Sequence, residues 1–127
     1  MGVAAHHWEL EPKPTSASEA RRLLRSLGLG PSVCKRSELL VTELVANALR
    51  HGGLDERDRI ELDVRSSPSG RLHVEVLDPG NGFDPEAVRP NGDPEGGWGL
   101  RLLERLSDDW GVDRRRDRTC VWFEVML

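Results

Sequence analysis

The chain has 127 residues, a formal net charge of −4 and 31% charged residues, which fits one domain with a real core. Its acidic balance, with a pI near 5.6, argues against general binding to nucleic acid or anionic membrane, since either calls for basic character. No apolar run approaches a membrane span, and Met1-Gly2-Val3-Ala4-Ala5-His6-His7 lacks the charged-then-apolar order of a signal peptide, so a cytoplasmic protein is expected.

In chain order, residues 8–10 read as a short strand closed by Pro12 and Pro14, which have no backbone donor for a ladder. Thr15 or Ser16 is placed to cap a helix over 18–27, with Ala20, Leu23, Leu24 and Leu27 on one face and 28–31 as its stop. A second helix is predicted from Ser32 to His51, with Gly52-Gly53 as a left-handed cap. Ile60, Leu62 and Val64 alternate with polar residues, 66–70 turns the chain, and Leu72, Val74 and Val76 alternate again, which predicts a hairpin of half-buried strands.

Residues 78–97 contain five Gly and four Pro, so a loop is expected there, with at most a helical turn near 86–89. A helix over 98–106, a strand near 110–112, a polar turn through 114–117 and a last strand over 119–125 complete the chain. This order predicts an α+β fold, a two-layer α/β sandwich with one sheet covered by helices on a single face. Trp8, Trp110 and Trp122 are expected to pack with their polar edges reachable, and Trp98 sits among glycines as a candidate lid residue. Cys34 and Cys120, far apart and without Cys-x-x-Cys spacing, are expected to be free thiols rather than a zinc site or a disulfide.

Three segments carry candidate chemistry. In the second helix Glu43 and Asn47, at i and i+4, share a face among Leu40, Val41, Leu44, Val45 and Ala48. Asn47 is either an uncharged oxygen ligand for a hard cation or a buried amide bridging backbone. Glu43 is either a proton acceptor beside a phosphate or a surface partner of Arg36 or Arg50. Arg50 and His51 reach phosphate or offset the helix dipole.

Asp78-Pro79-Gly80-Asn81-Gly82 ends a strand and is either an ordinary turn or a place where a carboxylate meets an exocyclic amine beside a permissive backbone. Gly96, Gly97 and Gly99 before Leu100 put backbone donors at a helix start, where phosphate is favoured. Thr119 is a strand residue or a pocket residue, and the arginines of 114–118 form a solvated hairpin tip or a dock for an acidic partner.

Together and in this order, the three segments resemble the N, G1 and G2 boxes of the GHKL (Bergerat-fold) ATPases, most of all the small anti-sigma-factor serine kinases. The resemblance covers about residues 32–125 of a single 1–127 domain and implies one mixed, mostly antiparallel sheet. It implies ATP and Mg2+ as cofactors, with Asn47 as metal ligand, Glu43 as catalytic base and Asp78 on adenine. Gly80, Gly82, Gly97, Gly99, Leu100, Arg50 and Thr119 are then expected to line the nucleotide.

The implied partners are a sigma factor and an antagonist protein phosphorylated on Ser, with a homodimer as an option and no direct nucleic-acid or membrane partner. Residues 83–95 depart from the family pattern, being short for a lid and holding no Lys, Ser or Thr, with Arg89 their only cation. Two further readings therefore stand beside the kinase: a binding module gated by ATP without transfer, and a detached histidine-kinase catalytic domain.

Overall fold

The computed structural model describes residues 4–51, 53–80 and 97–127, with backbone alone at 51 and 97–100. Its elements run β1 (Ala5–Leu10), α1 (Ser16–Arg25), α2 (Pro31–His51), β2 (Ile60–Ser66), β3 (Arg71–Asp78), α3 (Gly97–Leu106), β4 (Asp109–Arg115) and β5 (Arg118–Met126). The strands form one five-stranded sheet in the order β1-β2-β3-β5-β4, and every pairing among them is antiparallel. The α+β architecture expected from the sequence is the one observed. The predicted helical turn near 86–89 lies outside the described residues, as does Gly52, while Gly53 does take a left-handed φ of +60°.

Alternation explains the layers. Leu10, Ile60, Leu62, Val64, Leu72, Val74, Val76, Val121, Phe123 and Val125 point to one side of the sheet, where they meet Ala20 and Leu24 of α1, Val33, Leu40, Val41, Leu44, Val45 and Ala48 of α2 and Leu103 of α3. The apolar spacing along α2 supplies a wide stripe rather than a narrow seam, so this 21-residue helix packs across β3 and β5 while also meeting α1 and α3. Among the described residues no helix is long and apolar enough to cross a membrane.

Two local expectations change. Thr15 occupies the N-cap of α1 but makes no capping bond with its side chain; the Ser16 hydroxyl instead donates to the Glu11 carbonyl and accepts from the Lys13 amide at 3.1 Å. The polar stretch 114–117 is not all turn, because β4 runs on through Arg115, and Arg116 alone among the non-glycine residues described has a positive φ, +53°.

Among the described residues the sheet's other face carries charges instead of helices. His73 bridges Glu75 at 2.8 Å and Glu124 at 2.9 Å, Arg115 reaches Glu75 at 3.3 Å, and Arg71 holds Glu124 at 2.9 Å. Burial pushes the Glu75 carboxyl up, yet the bonds from His73 and Arg115 together hold it below the usual carboxylate range. Trp122 stacks on His73 with centroids 5.4 Å apart, and its indole lies 2.7 Å from where a Cβ on Gly111 would stand. A glycine in the neighbouring strand is what admits that ring. Cys34 and Cys120 are free, and burial pushes the Cys120 thiol up to about 12, which leaves it inert.

Candidate functional site

The site residues fall into two polar groups on the helix-covered side of the sheet. The first is on α2, where Asn47 is 4% exposed among buried Leu44, Val45 and Ala48. Its Oδ1 accepts from the Arg50 guanidinium at 2.5 Å, while its buried Nδ2 has no partner among the described residues. A buried amide with an unmatched donor is costly, so Asn47 calls for a reason beyond packing. Glu43, one turn earlier, is half-buried, and no ion pair with Arg36 or Arg50 forms; Arg36 instead donates to the Leu106 carbonyl at 3.4 Å.

The second group closes the sheet at the end of β3 and the start of β5. Register sets Asp78 opposite Thr119, and both are buried, at 3% and 2% exposure. The rows Leu72–Val125, Val74–Phe123 and Val76–Val121 thus end in a polar row on the same face. Asp78 Oδ1 accepts from the Gly80 amide at 2.9 Å, an Asx turn that leads the chain out of β3. Burial pushes the Asp78 carboxyl above the ordinary range, against the opposing pull of the Gly80 amide and the Arg114 charge.

Arg114 is the residue that sequence reasoning missed. Its Nη1 donates to the Thr119 hydroxyl at 2.6 Å and to the Gly80 carbonyl at 3.0 Å, tying β4, β5 and the turn after β3 together. The arginines of 114–118 are all exposed, as a solvated hairpin tip requires, and within it Arg115 pairs with Glu75 and Arg118 with Glu61. Strand alternation was the available signal, since Trp110, Val112 and Arg114 share a face and Arg114 stands opposite Thr119.

Among the described residues no hydrogen bond joins the Asn47 group to the Asp78 group. Gly97 and Gly99 begin α3 as expected, whereas the side chains of His51, Trp98 and Leu100 and all of Gly82 and Gly96 lie outside the described residues. For a magnesium ion the donor set fits. One neutral oxygen, from Asn47, suffices for a hard cation that keeps waters and takes phosphate oxygens, and the group now on that oxygen is the side chain of Arg50, itself exposed and able to turn to a phosphate.

The sequence profile of the histidine kinase-like ATPase domain matches residues 10–125. The chain belongs to this family. Among solved structures, that of the RsbU and RsbW domains of Rv1364c from Mycobacterium tuberculosis superposes with a TM-score of 0.76 at 20% identity, over 98% of this chain and 33% of that one. The histidine kinase domain of the Erythrobacter litoralis EL346 blue-light activated histidine kinase gives a TM-score of 0.64 at 21% identity, over 89% of this chain and 60% of that one. A second structure of the blue-light activated kinase gives 0.66 at 21%, over 89% and 41%. These likenesses establish the shared fold, and the chain spans a third to three fifths of the proteins it superposes on. No curated protein matches the sequence.

Proposed function

We propose that this ATPase domain is an ATP- and Mg2+-dependent regulator of the anti-sigma type, a protein serine/threonine kinase acting on an antagonist protein and holding a sigma factor as its second partner. The observation that carries the nucleotide half is the buried Asp78–Thr119 row with the Gly80 turn locked beside it. A fold needs no carboxylate at the end of two core strands; an adenine amine does.

In this reading Asp78 accepts from the exocyclic amine and so rejects guanine, whose carbonyl would face it. Thr119 and Arg114 hold the turn that frames the base. Asn47 would hold the Mg2+, which supplies charge neutralisation on the phosphates, and Arg50 would pass from Asn47 to a phosphate oxygen. Glu43 takes the proton from the attacking Ser or Thr hydroxyl, whose oxygen bonds to the terminal phosphorus. The bond from that phosphorus to the bridging oxygen breaks, and ADP leaves with the electron pair. Glu43 suits this role because it is half-buried one turn before Asn47 and no cation pairs with it among the described residues.

A second reading, ATP-gated binding without transfer, is favoured by one feature, the lack of Lys, Ser or Thr in 83–95. Calorimetry of ATP and GTP with and without magnesium, on the parent and Asn47→Ala, tests what both share. ATP selectivity and magnesium dependence are expected, with affinity down about ten-fold or more in the variant, as for loss of one charge-assisted contact. Equal magnesium-dependent affinity in Asn47→Ala removes the metal-ligand role, and transfer of labelled phosphate to a Ser-bearing partner separates the two readings.

A further inference from the structure

The outer strand β1 is joined to the sheet through β2, and their register sets His7 opposite Asp63 and Glu9 opposite Glu61. Alternation turns these four side chains to the open face, away from Leu10, Ile60, Leu62 and Val64 in the core. Carboxylates directly opposite one another repel across a strand pair. Arg118 meets part of the need for positive charge by pairing with Glu61 Oε2, which leaves Oε1 of the same group toward His7. Glu9 is exposed and has no hydrogen bond or ion pair among the described residues.

His7 decides what kind of cation fits. Its Nδ1 is hydrogen-bonded to Asp63 Oδ1, and since an ionised carboxylate only accepts, Nδ1 carries the hydrogen of that bond. The lone pair of a neutral imidazole is then on Nε2, which stands 3.6 Å from Glu61 Oε1. Two lone-pair atoms thus face each other, and a proton or a metal ion between them is what makes the contact favourable. A histidine whose second nitrogen is held by a carboxylate is the common arrangement at zinc, because the outer bond fixes the tautomer and raises the basicity of the ligand nitrogen.

Distances and charge favour the metal. One donor atom each from His7, Glu9 and Glu61 lie within 4.8 Å of one another. Donors bound to a tetrahedral zinc ion at about 2.0–2.2 Å lie about 3.3–3.6 Å apart, so His7 and Glu61 are already at that spacing and the exposed Glu9 needs only to rotate its side chain. One nitrogen and two oxygens favour zinc over magnesium or calcium, which prefer oxygen throughout. With the imidazole neutral, the carboxylates of Glu9, Glu61 and Asp63 against the one guanidinium of Arg118 leave the charge that a divalent cation matches.

We infer that His7, Glu9 and Glu61 bind a zinc ion on the open face of the sheet, with Asp63 orienting His7 and a water completing the tetrahedron. The ion clips β1 to β2 and so fastens the sheet's outer strand. The site lies across the sheet from Asn47 and Asp78, and the inference does not rest on the nucleotide reading.

The test is calorimetry of Zn2+ with the full chain, first stripped of metal by a chelator, at pH 7. One Zn2+ per chain is expected. His7→Ala and Glu9→Gln, both at exposed positions, are each expected to weaken it at least ten-fold, and Asp63→Ala by about 10- to 100-fold through loss of the orienting bond. His6→Ala should bind as the parent does, because His6 faces the other way and stacks on Trp8. Zinc is also expected to raise the melting temperature of the parent and not of His7→Ala, since an ion held across paired strands favours the folded state. No binding overturns the inference and leaves a proton between His7 and Glu61. Binding undiminished in His7→Ala would place the zinc elsewhere on the chain, and displacement of zinc by equimolar Mg2+ would mark a patch of carboxylates without a nitrogen ligand; either result overturns it. So does a parent that binds zinc without gaining in melting temperature.

Discussion

Two ends of the same pair of strands make opposite use of burial. At one end of β3 and β5, Leu72, Val74, Phe123 and Val125 meet the helices in a dry, fully apolar layer, while at the other Asp78 and Thr119 are as deeply covered yet polar. Alternation puts both sets on the same face, so the difference lies in chemistry alone. The apolar rows contribute stability through area removed from water. The polar row contributes none unless its groups are matched, and its matching is partial: the Gly80 amide serves Asp78, and the Arg114 guanidinium serves Thr119. The contrast separates residues that hold the fold from residues that the fold holds.

The largest effect is expected at the apolar end. Phe123 is fully buried, and Phe123→Ala is expected to destabilise the chain by about 3–5 kcal/mol, read as a shift in the urea midpoint with m unchanged. If the folded fraction of this variant binds ATP with parental ATP-to-GTP preference, the two ends are independent. Lost preference in that fraction would mean that the core row sets the pocket as well as the stability.

Asp78→Asn breaks the comparison from the other side. The change keeps an oxygen for the Gly80 amide but replaces half the acceptor with a donor that opposes an adenine amine. ATP affinity is expected to fall about 10- to 100-fold, the worth of a charge-assisted bond. Stability should move the other way. Because burial raises the Asp78 pKa in the folded chain, its contribution to stability is full below the unfolded carboxylate pKa and is lost as pH rises through the folded value. At neutral pH the ionised group is a burden, so Asp78→Asn is expected to melt no lower than the parent at pH 7, with the parent gaining on the variant in acid. ATP binding by the parent should weaken with acid at a pH above the ordinary Asp range, and the variant should show no such step. A variant that melts well below the parent at pH 7 would contradict this assignment.

Much of this was legible in the sequence and some was not, for identifiable reasons. Period-two alternation at Ile60, Leu62 and Val64 and at Leu72, Val74 and Val76 fixes both strands and their buried face, because a one-residue slip would expose every apolar side chain. The i+4 pairing of Glu43 with Asn47 was equally open, since helical spacing needs no partner to be read. The pairing of Asp78 with Thr119 depends on the register between strands far apart in the sequence, which only the assembled sheet reveals. Arg114 and Arg115 were hidden by their neighbours: the polar run 114–117 reads as turn, whereas the hairpin closes at Arg116 with φ +53°, a conformation for which Gly or Asn is the usual signal.

Arg114 offers the smallest and sharpest test of whether the polar row acts as a unit. Its two bonds, to the Thr119 hydroxyl and the Gly80 carbonyl, join a half-exposed edge strand to a buried row, and neither bond touches the positions assigned to phosphate or metal. Loss of one such neutral-acceptor contact is worth about 0.5–1.5 kcal/mol, so Arg114→Ala is expected to weaken ATP binding about three- to ten-fold and to narrow the preference for ATP over GTP, with magnesium dependence unchanged. Arg114→Lys carries the charge but not the fork; it should recover part of the affinity if Coulomb attraction to Asp78 matters and little if holding Gly80 against Thr119 is what counts. Parental selectivity in both variants would show that the Asx turn at Asp78 and Gly80 stands without its clamp, and that β4 contributes to the pocket only as a neighbour.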